Sequence, residues 1–425
     1  MNKPVLRYYL LSLILFSGIG IPFFRDALSN IILLILSVML IVSSTVYYNS
    51  KLKNVIAIWT IYCLILMIYY SEFFEGFYLR HILYIVSSFI IVTQFKTLFF
   101  IYYERYIYYL SIISLVFFSW QLLDIDSIHF LFKKFDLANS AVKGVWLSSK
   151  SILVYTLHGD AINFGNMRNC GFTWEPGPFS VFIAFAIYFN LLRNKFILKG
   201  NHRLLIFVIT LATTLSTTGV VALLGIAIEI IILNYKGMKR VLLILTGGSI
   251  IIFLFFSLDF LSAKITSLYS SGNAEAILQQ VKTSGEQASL GRFAGYAISW
   301  EEFKQRPLFG TAGASGQSYF ANLGYSANMV SGLASIIGMY GLFGIVILLY
   351  YSIKSSKLIA KEFNSKTQFS LMIILLVGLF GFHLEIMPIF YAFLFYSLFH
   401  SKSNVKLRTN GSKNITPSIN ERSLI

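Results

Sequence analysis

The sequence predicts an all-α polytopic membrane protein of about twelve transmembrane helices with two large loops on one side, and three observations predict it. Hydrophobic residues make up 56% of the 425-residue chain and charged residues 12%, a balance that cannot supply the half-polar surface of a soluble globule. Apolar runs long enough to cross a ~30 Å hydrocarbon core recur from the first ten residues to about Ser401. The runs are continuous rather than alternating, which selects helices over closed barrels, the other way to satisfy a backbone in lipid.

Taken in order, spans are expected over 8–23, 28–48, 54–70, 80–95 and 105–123, then 178–193, 203–215, 218–234 and 241–258, and finally 328–351, 369–383 and 385–400. The first follows Lys3 and Arg7 in the manner of a signal peptide, but no small-residue cleavage site comes after Phe23 and Phe24, so it is expected to be retained. The 203–215 and 218–234 runs meet at Ser216, Thr217 and Thr218 and read either as a tight hairpin or as one span beside a re-entrant segment. With both termini inside, 22 of the 34 Lys and Arg fall in the termini and connections of the cytoplasmic side. That is the bias of the positive-inside rule.

Residues 1–400 are thus expected to form one integral membrane domain, with 124–177 and 259–327 as large outer loops and 401–425 as a solvated cytoplasmic tail. Loops of this size in a bundle are functional or disordered, and their aromatic and apolar content argues for function. The net charge of +16 is dispersed among the connections and forms no aromatic-interleaved basic patch, so nucleic acid is not an expected partner. Cys63 and Cys170 indicate neither a disulfide framework nor a thiolate metal site, and no metal or cofactor is expected. The absence of an internal repeat weakens a reading as an inverted-repeat transporter.

Candidate chemistry lies on the loops. The first ends in Arg168-Asn169-Cys170-Gly171-Phe172-Thr173-Trp174-Glu175-Pro176-Gly177-Pro178. Pro176 and Pro178 suit a first helical turn, where a missing N–H is no loss, and Glu175 then stands at the positive end of the helix dipole. Arg168, a planar fork of five donors, can join that helix end in holding an anionic oxygen cluster such as a phosphate. The plainer alternative is that Glu175 caps the helix and Arg168 pairs with it.

In the second loop Phe293, Ala297, Trp300 and Phe303 recur at helical spacing, so an amphipathic surface helix is expected, capped by Ser289 and ended before Pro307. Arg292, Tyr296 and Ser299 share another face of it. The glycine-rich Phe309–Gly316 turn lacks the Lys of a P-loop and carries no nucleotide signal. His158, His383, Glu229 and Glu385 are ionisable groups in or near spans, expected to be packed residues before functional ones.

Three stretches, Arg168-x-x-Gly171-Phe172-x-x-Glu175-Pro176, Leu215-Ser216-Thr217-Thr218-Gly219, and Gly291-Arg292 leading through Trp300 to Pro307-Leu308-Phe309-Gly310, together give a resemblance. The chain resembles the O-antigen polymerase and ligase superfamily of bacterial inner membranes, over about Leu6 to His400. The resemblance implies a GT-C-like glycosyltransferase architecture whose two large loops face the periplasm and bind glycans on a polyprenyl pyrophosphate. It makes Arg168, Arg292 and Glu175 the candidate catalytic residues, and Arg168, Gly171, Trp174, Arg292, Tyr296, Trp300 and Arg306 the candidate substrate-binding set.

Many relatives carry an Arg in the turn where this chain has Thr217 or Thr218, so Arg306, Lys264 and Arg80 are possible substitutes. Ligases tend to have a His-Asn pair where this chain has Ala327-Asn328, which favours a polymerase. The resemblance further implies the lipid-linked oligosaccharide and membrane lipid as partners, with a chain-length regulator and a flippase as candidate protein partners. A sugar hydroxyl would attack the anomeric carbon of a second unit and expel the pyrophosphate, without a metal and with inversion. Glu175 is the first candidate base, followed by Glu301, Glu302 and Asp160. A ligase acting on a lipid core and a lipid-linked glycan flippase are the alternatives.

Overall fold

The computed structural model describes residues 13, 18–24, 31–32, 35–39, 50–70, 75–137, 149–165, 167–243, 245–246, 249, 287–289, 292–311, 326–328 and 331–400. The spans expected at 8–23, 28–48 and 241–258 lie largely outside these residues, as do most of the second loop and the whole 401–425 tail.

The apolar runs satisfy their backbones as helices, as hydrocarbon requires. Helices α1 (Ser50–Tyr70), α2 (Glu75–Phe95) and α3 (Leu98–Leu123) come first. The first loop then folds into α4 (Ile125–Lys134), a hairpin of β1 (Lys150–Ile152) and β2 (Tyr155–Leu157), and α5 (Gly159–Phe164). Asp124 caps α4 by accepting the Ser127 N–H, and that bond, with the Ser127 hydroxyl, holds its carboxyl below the ordinary carboxylate range. Phe118, Ile128, Phe132, Tyr155 and Leu157 form a separate small core here.

Helices α6 (Pro176–Arg193), α7 (His202–Thr213) and α8 (Thr217–Asn234) follow. Strand β3 (Gln287–Ser289) precedes α9 (Arg292–Gln305) and pairs in parallel with β4 (Ser326–Asn328). The chain continues through α10 (Gly332–Glu362), α11 (Ser370–Gly381), a 3-10 turn (Leu384–Ile386), α12 (Pro388–Leu394) and α13 (Tyr396–Phe399). Among the described residues six helices, α1, α2, α3, α6, α8 and α10, are long and apolar enough to cross a membrane, and the chain is an α-helical membrane-embedded protein. Helices α7 and α11, of 12 residues each, are shorter. At 1.5 Å per residue such a helix extends about 18 Å, so neither crosses a ~30 Å core alone. The expected 385–400 span is broken into the turn, α12 and α13.

Helix α6 is the axis of the bundle, buried from Pro176 to Leu192 and packed against α3, α7, α8 and α11. Phe185 and Phe189 on it meet Tyr103, Phe100 and Phe393 in a continuous aromatic core. Two buried carboxylates are fully engaged by neighbouring elements. Glu104 accepts from Asn190 at 2.9 Å, Arg193 at 3.2 Å and Arg203 at 2.9 Å, tying α3 to the end of α6 and the start of α7. Glu229 accepts the N–H groups of Gln368, Phe369 and Ser370 and the Ser370 hydroxyl, so a side chain of α8 caps α11. This is the packed role expected for Glu229.

Helix α10 is broken at Gly341, where φ 56 and ψ −147 interrupt the helical path. The turn after α9 fills the break. Leu342 donates to the Pro307 carbonyl at 2.8 Å and Phe343 to the Leu308 carbonyl at 3.1 Å, while Thr311 donates to the Gly338 carbonyl at 3.0 Å. Backbone groups freed by a helix break in lipid must find partners, and Pro-Leu-Phe-Gly supplies them. Tyr62 and Tyr70 of α1 fix the same turn through hydroxyl bonds of 2.8 Å and 2.7 Å to the carbonyls of Phe309 and Gly310.

Candidate functional site

One end of the bundle gathers the segments singled out in the sequence. Glu175 occupies the N-cap position of α6 with extended backbone (φ −147, ψ 159), and Pro176 opens the helix as its sequence predicts. Glu175 is half-buried and makes no capping hydrogen bond through its side chain, so the plain capping role is not the one it has.

Arg168 donates from Nε to the Thr214 carbonyl at 3.1 Å and from Nη2 to the Leu215 carbonyl at 3.0 Å. These carbonyls lie at the negative end of α7, where a cation is favoured and acceptors lack helical partners. Leu215 adopts φ 47, so this bond clamps a strained turn. The motif arginine and the Leu-Ser-Thr-Thr-Gly turn are therefore one unit. Beside it Ser180 of α6 donates to Ser216 at 3.0 Å, ahead of α8. Ser216 makes no side-chain cap to α8 either, so the starts of α6 and α8 lie side by side without side-chain caps. Gly219 allows this approach: a Cβ there would stand 2.5 Å from the Ser180 Cβ.

Gly171 and Trp174 build the platform under this end. Gly171 has φ 50, and a Cβ on it would lie 2.4 Å from the Phe179 ring. Its carbonyl accepts the Thr156 N–H at 2.7 Å, joining the hairpin to the motif. Trp174 is 6% exposed and meets Phe382 edge to face, with centroids 5.9 Å apart. It packs against the end of α11.

The second-loop helix reaches the same end. Tyr296 stacks on Phe380 at 5.3 Å and accepts the Ser331 hydroxyl at 3.1 Å, ahead of α10. The face buried by α9 is not the aromatic one: Gly295, Ile298, Ser299 and Glu302 are buried, whereas Trp300 is 56% exposed and stacked on Phe303. Small residues let the helices approach closely, and a Cβ on Gly338 of α10 would fall 2.3 Å from Glu302 Oε2. Arg306 lies further along, its guanidinium 4.9 Å from the Tyr70 ring centroid. Glu301 pairs with Lys304 at 2.8 Å. Arg292 begins α9, but its side chain, that of Asp160, and Lys264 lie outside the described residues.

The segment between α11 and α12, where His383 and Glu385 were expected to be packed residues first, adjoins the start of α10 and the platform under α6. Gly332 donates to the Phe382 carbonyl at 3.3 Å, and Gly381 abuts Thr218. His383 Nδ1 lies 2.6 Å from Glu385 Oε1 and 3.5 Å from the Ser335 hydroxyl. Beyond Glu385 a cavity of about 120 Å³ opens between α1, α2, α10 and α12, walled by apolar side chains such as Val55, Ile85, Phe343 and Phe395. At its polar end the Tyr340 hydroxyl and His81 Nε2 are 2.6 Å apart. The available signal was the sequence Phe382-His383-Leu384-Glu385, two ionisable residues between apolar spans. Among protein-family models, characterised proteins and solved structures, none matches this chain.

Proposed function

We propose that the chain is a polysaccharide polymerase, a glycosyltransferase of GT-C-like architecture that joins polyprenyl-pyrophosphate-linked oligosaccharide units at the outer face of a bacterial inner membrane. The observation that carries this reading is the Arg168 clamp on Thr214 and Leu215, which unites two motif segments beside the starts of α6 and α8. A guanidinium next to two helix starts favours negative charge, and charge grows on the pyrophosphate as the glycosidic bond breaks.

The reaction requires a sugar hydroxyl of one unit to reach the anomeric carbon of another. Arg168, with Arg292 at the start of α9, would stabilise the leaving pyrophosphate, and Glu175 would hold the acceptor hydroxyl from the helix start. Tyr296, Trp300 and Arg306 line the second-loop side available to the glycan. Gly171 and Trp174 serve by shaping the platform. The cavity beside Glu385 offers apolar walls to a lipid chain entering from the bilayer, which supports a lipid-linked substrate over a soluble sugar nucleotide.

Purified protein incubated with synthetic lipid-linked units tests the reading. A ladder of products is expected. Transfer to a separate lipid acceptor would make the chain a ligase, and translocation without covalent change would make it a flippase.

A further inference from the structure

We infer that the cleft between the end of α6 and the start of α7 holds the phosphate headgroup of an anionic phospholipid, in the leaflet opposite the end where Arg168 and Glu175 lie. The inference needs only that the chain spans a membrane, so it stands or falls apart from the polymerase reading. Helix α6 has 18 residues. At 1.5 Å per residue it runs about 27 Å from Pro176, nearly the thickness of a ~30 Å hydrocarbon core, so Arg193 emerges where lipid phosphates begin.

Three observations carry it. First, cations line the cleft, which measures about 310 Å³ and has Arg193, Lys195 and Lys199 on its wall. Among the described residues the four cations Arg193, Lys195, Lys199 and Arg203 meet one carboxylate, Glu104, which leaves a surplus of three positive charges. Second, the cleft is built rather than loose. Arg193 and Arg203 each donate from Nη1 to Glu104 Oε2, at 3.2 Å and 2.9 Å, so the other donors of the Arg193 fork stay open to the cleft. The Asn194 amide donates to the Asn190 carbonyl at 3.0 Å and the Asn201 amide to Asn190 Oδ1 at 2.6 Å, which fastens both sides of the cleft to α6. Lys195 and Phe196 take φ 49 and φ 60, a left-handed pair without glycine, and the Phe196 N–H secures it by donating to the Leu191 carbonyl at 2.8 Å. Third, the tip of this loop is apolar. Ile197 is 60% and Leu198 64% exposed, between the two lysines. Such exposure is unfavourable in water and favourable at the boundary between headgroups and acyl chains. The apolar tip thus puts the cations at phosphate depth, which selects a lipid over a soluble anion.

In this arrangement the phosphate accepts from the open edge of Arg193 and is attracted by Lys195 and Lys199, while the acyl chains run beside Ile197 and Leu198. A headgroup with net negative charge, such as phosphatidylglycerol, offsets the surplus. A zwitterionic headgroup brings its own cation to a site that already has too many, so it is held less well. The contact fixes the depth at which α6 leaves the membrane and α7 enters it.

The test is lipid binding to the full chain, purified in detergent and stripped of native lipid, read by native mass spectrometry. Hydrogen exchange in nanodiscs locates the contact. The probes are phosphatidylglycerol, phosphatidylcholine and, as a headgroup without chains, glycerol phosphate. Wild type is compared with the double variant Lys195→Gln/Lys199→Gln, whose two positions are exposed and therefore tolerate the change. Arg193 is left in place because its loss would also uncover Glu104. The double variant is expected to bind phosphatidylglycerol about 25-fold more weakly than wild type, at about fivefold for each basic residue near the membrane surface, with phosphatidylcholine binding unchanged. Exchange over 195–201 should be slower in phosphatidylglycerol than in phosphatidylcholine nanodiscs for wild type, and equal in the two for the variant. Equal retention of the two lipids by wild type overturns the inference, as does a double variant that binds phosphatidylglycerol as wild type does. Slowed exchange elsewhere but not over 195–201 overturns the location. Glycerol phosphate bound as tightly as phosphatidylglycerol would make the cleft a soluble-anion site and overturn the lipid assignment.

Discussion

The carbonyl of Pro307 accepts the N–H of Leu342 at 2.8 Å, across the break that Gly341 puts into the longest helix of the described chain. This one bond links the loop that bears α9 to the membrane-embedded half of α10. Its geometry depends on Gly341, whose φ and ψ belong to a region essentially restricted to glycine. Gly341→Ala would also bring a Cβ to 2.7 Å from the Pro307 oxygen. The variant is expected to be destabilised by at least ~1–3 kcal/mol, measured as a lowered midpoint of thermal unfolding in detergent. A midpoint equal to wild type would show that the break is not held as described.

Arg168→Lys keeps a positive charge but cannot reach two carbonyls with a planar fork. The protein should still insert, while polymer length on a polysaccharide gel is strongly reduced or abolished. Normal chain lengths would remove Arg168 from the mechanism. Arg168→Ala should in addition loosen the turn between α7 and α8 by ~2 kcal/mol, since hydrogen bonds from charged donors are involved.

For Glu175→Gln the start of α6 should form as in the wild type, because the side chain makes no cap to α6. Kinetics carry the information. An acceptor-holding role predicts a raised KM for the acceptor unit with kcat lowered by less than about tenfold, unlike the kcat loss of a missing base. Unchanged KM and kcat would leave Glu175 without a part in the reaction.

Glu229→Gln separates scaffold from chemistry. The glutamine amide would set N–H against the backbone donor of either Phe369 or Ser370, which now stand 2.8 Å and 2.7 Å from separate carboxylate oxygens. A loss of about 1–3 kcal/mol in stability is expected, with turnover per folded molecule preserved. Hydrogen exchange at the start of α11 should rise; equal protection would refute the cap.

Much of the helical frame was legible because lipid makes continuous apolarity an almost direct statement of helix. The start of α6 at Pro176 and the stop of α9 before Pro307 followed from the lost N–H of proline, a local property. The gaps have a common cause: they concern partners distant in sequence. Phe293, Ala297, Trp300 and Phe303 marked the apolar face of a surface helix, but the face that α9 turns to α10 was not legible: small residues and Glu302 lie there, because close helix approach in a membrane rewards absence of bulk. Trp174 stood in the substrate-binding set that the resemblance implies, and its edge-to-face contact with Phe382 could not be read from the sequence. Gly341 carries no local sign of a break, since the carbonyls that make the break tolerable come from Pro307 and Leu308. Glu385 was visible as an ionisable residue, but its approach to Gly332, like that of Phe382 to Trp174 and Gly381 to Thr218, arises only on folding.

An uninterrupted helix acts as a stiff rod and hands any tilt at one tip to the other. Helix α10 is instead two rods with a joint, and the joint is packed with carbonyls from another segment. A tilt of the half that follows Ser331 is not passed rigidly through Gly341, and the other half is held by the bond of 2.7 Å from the Ser355 hydroxyl to the Leu394 carbonyl. The two halves of α10 are therefore set by different neighbours, the turn after α9 on one side of Gly341 and the segment around Leu394 on the other.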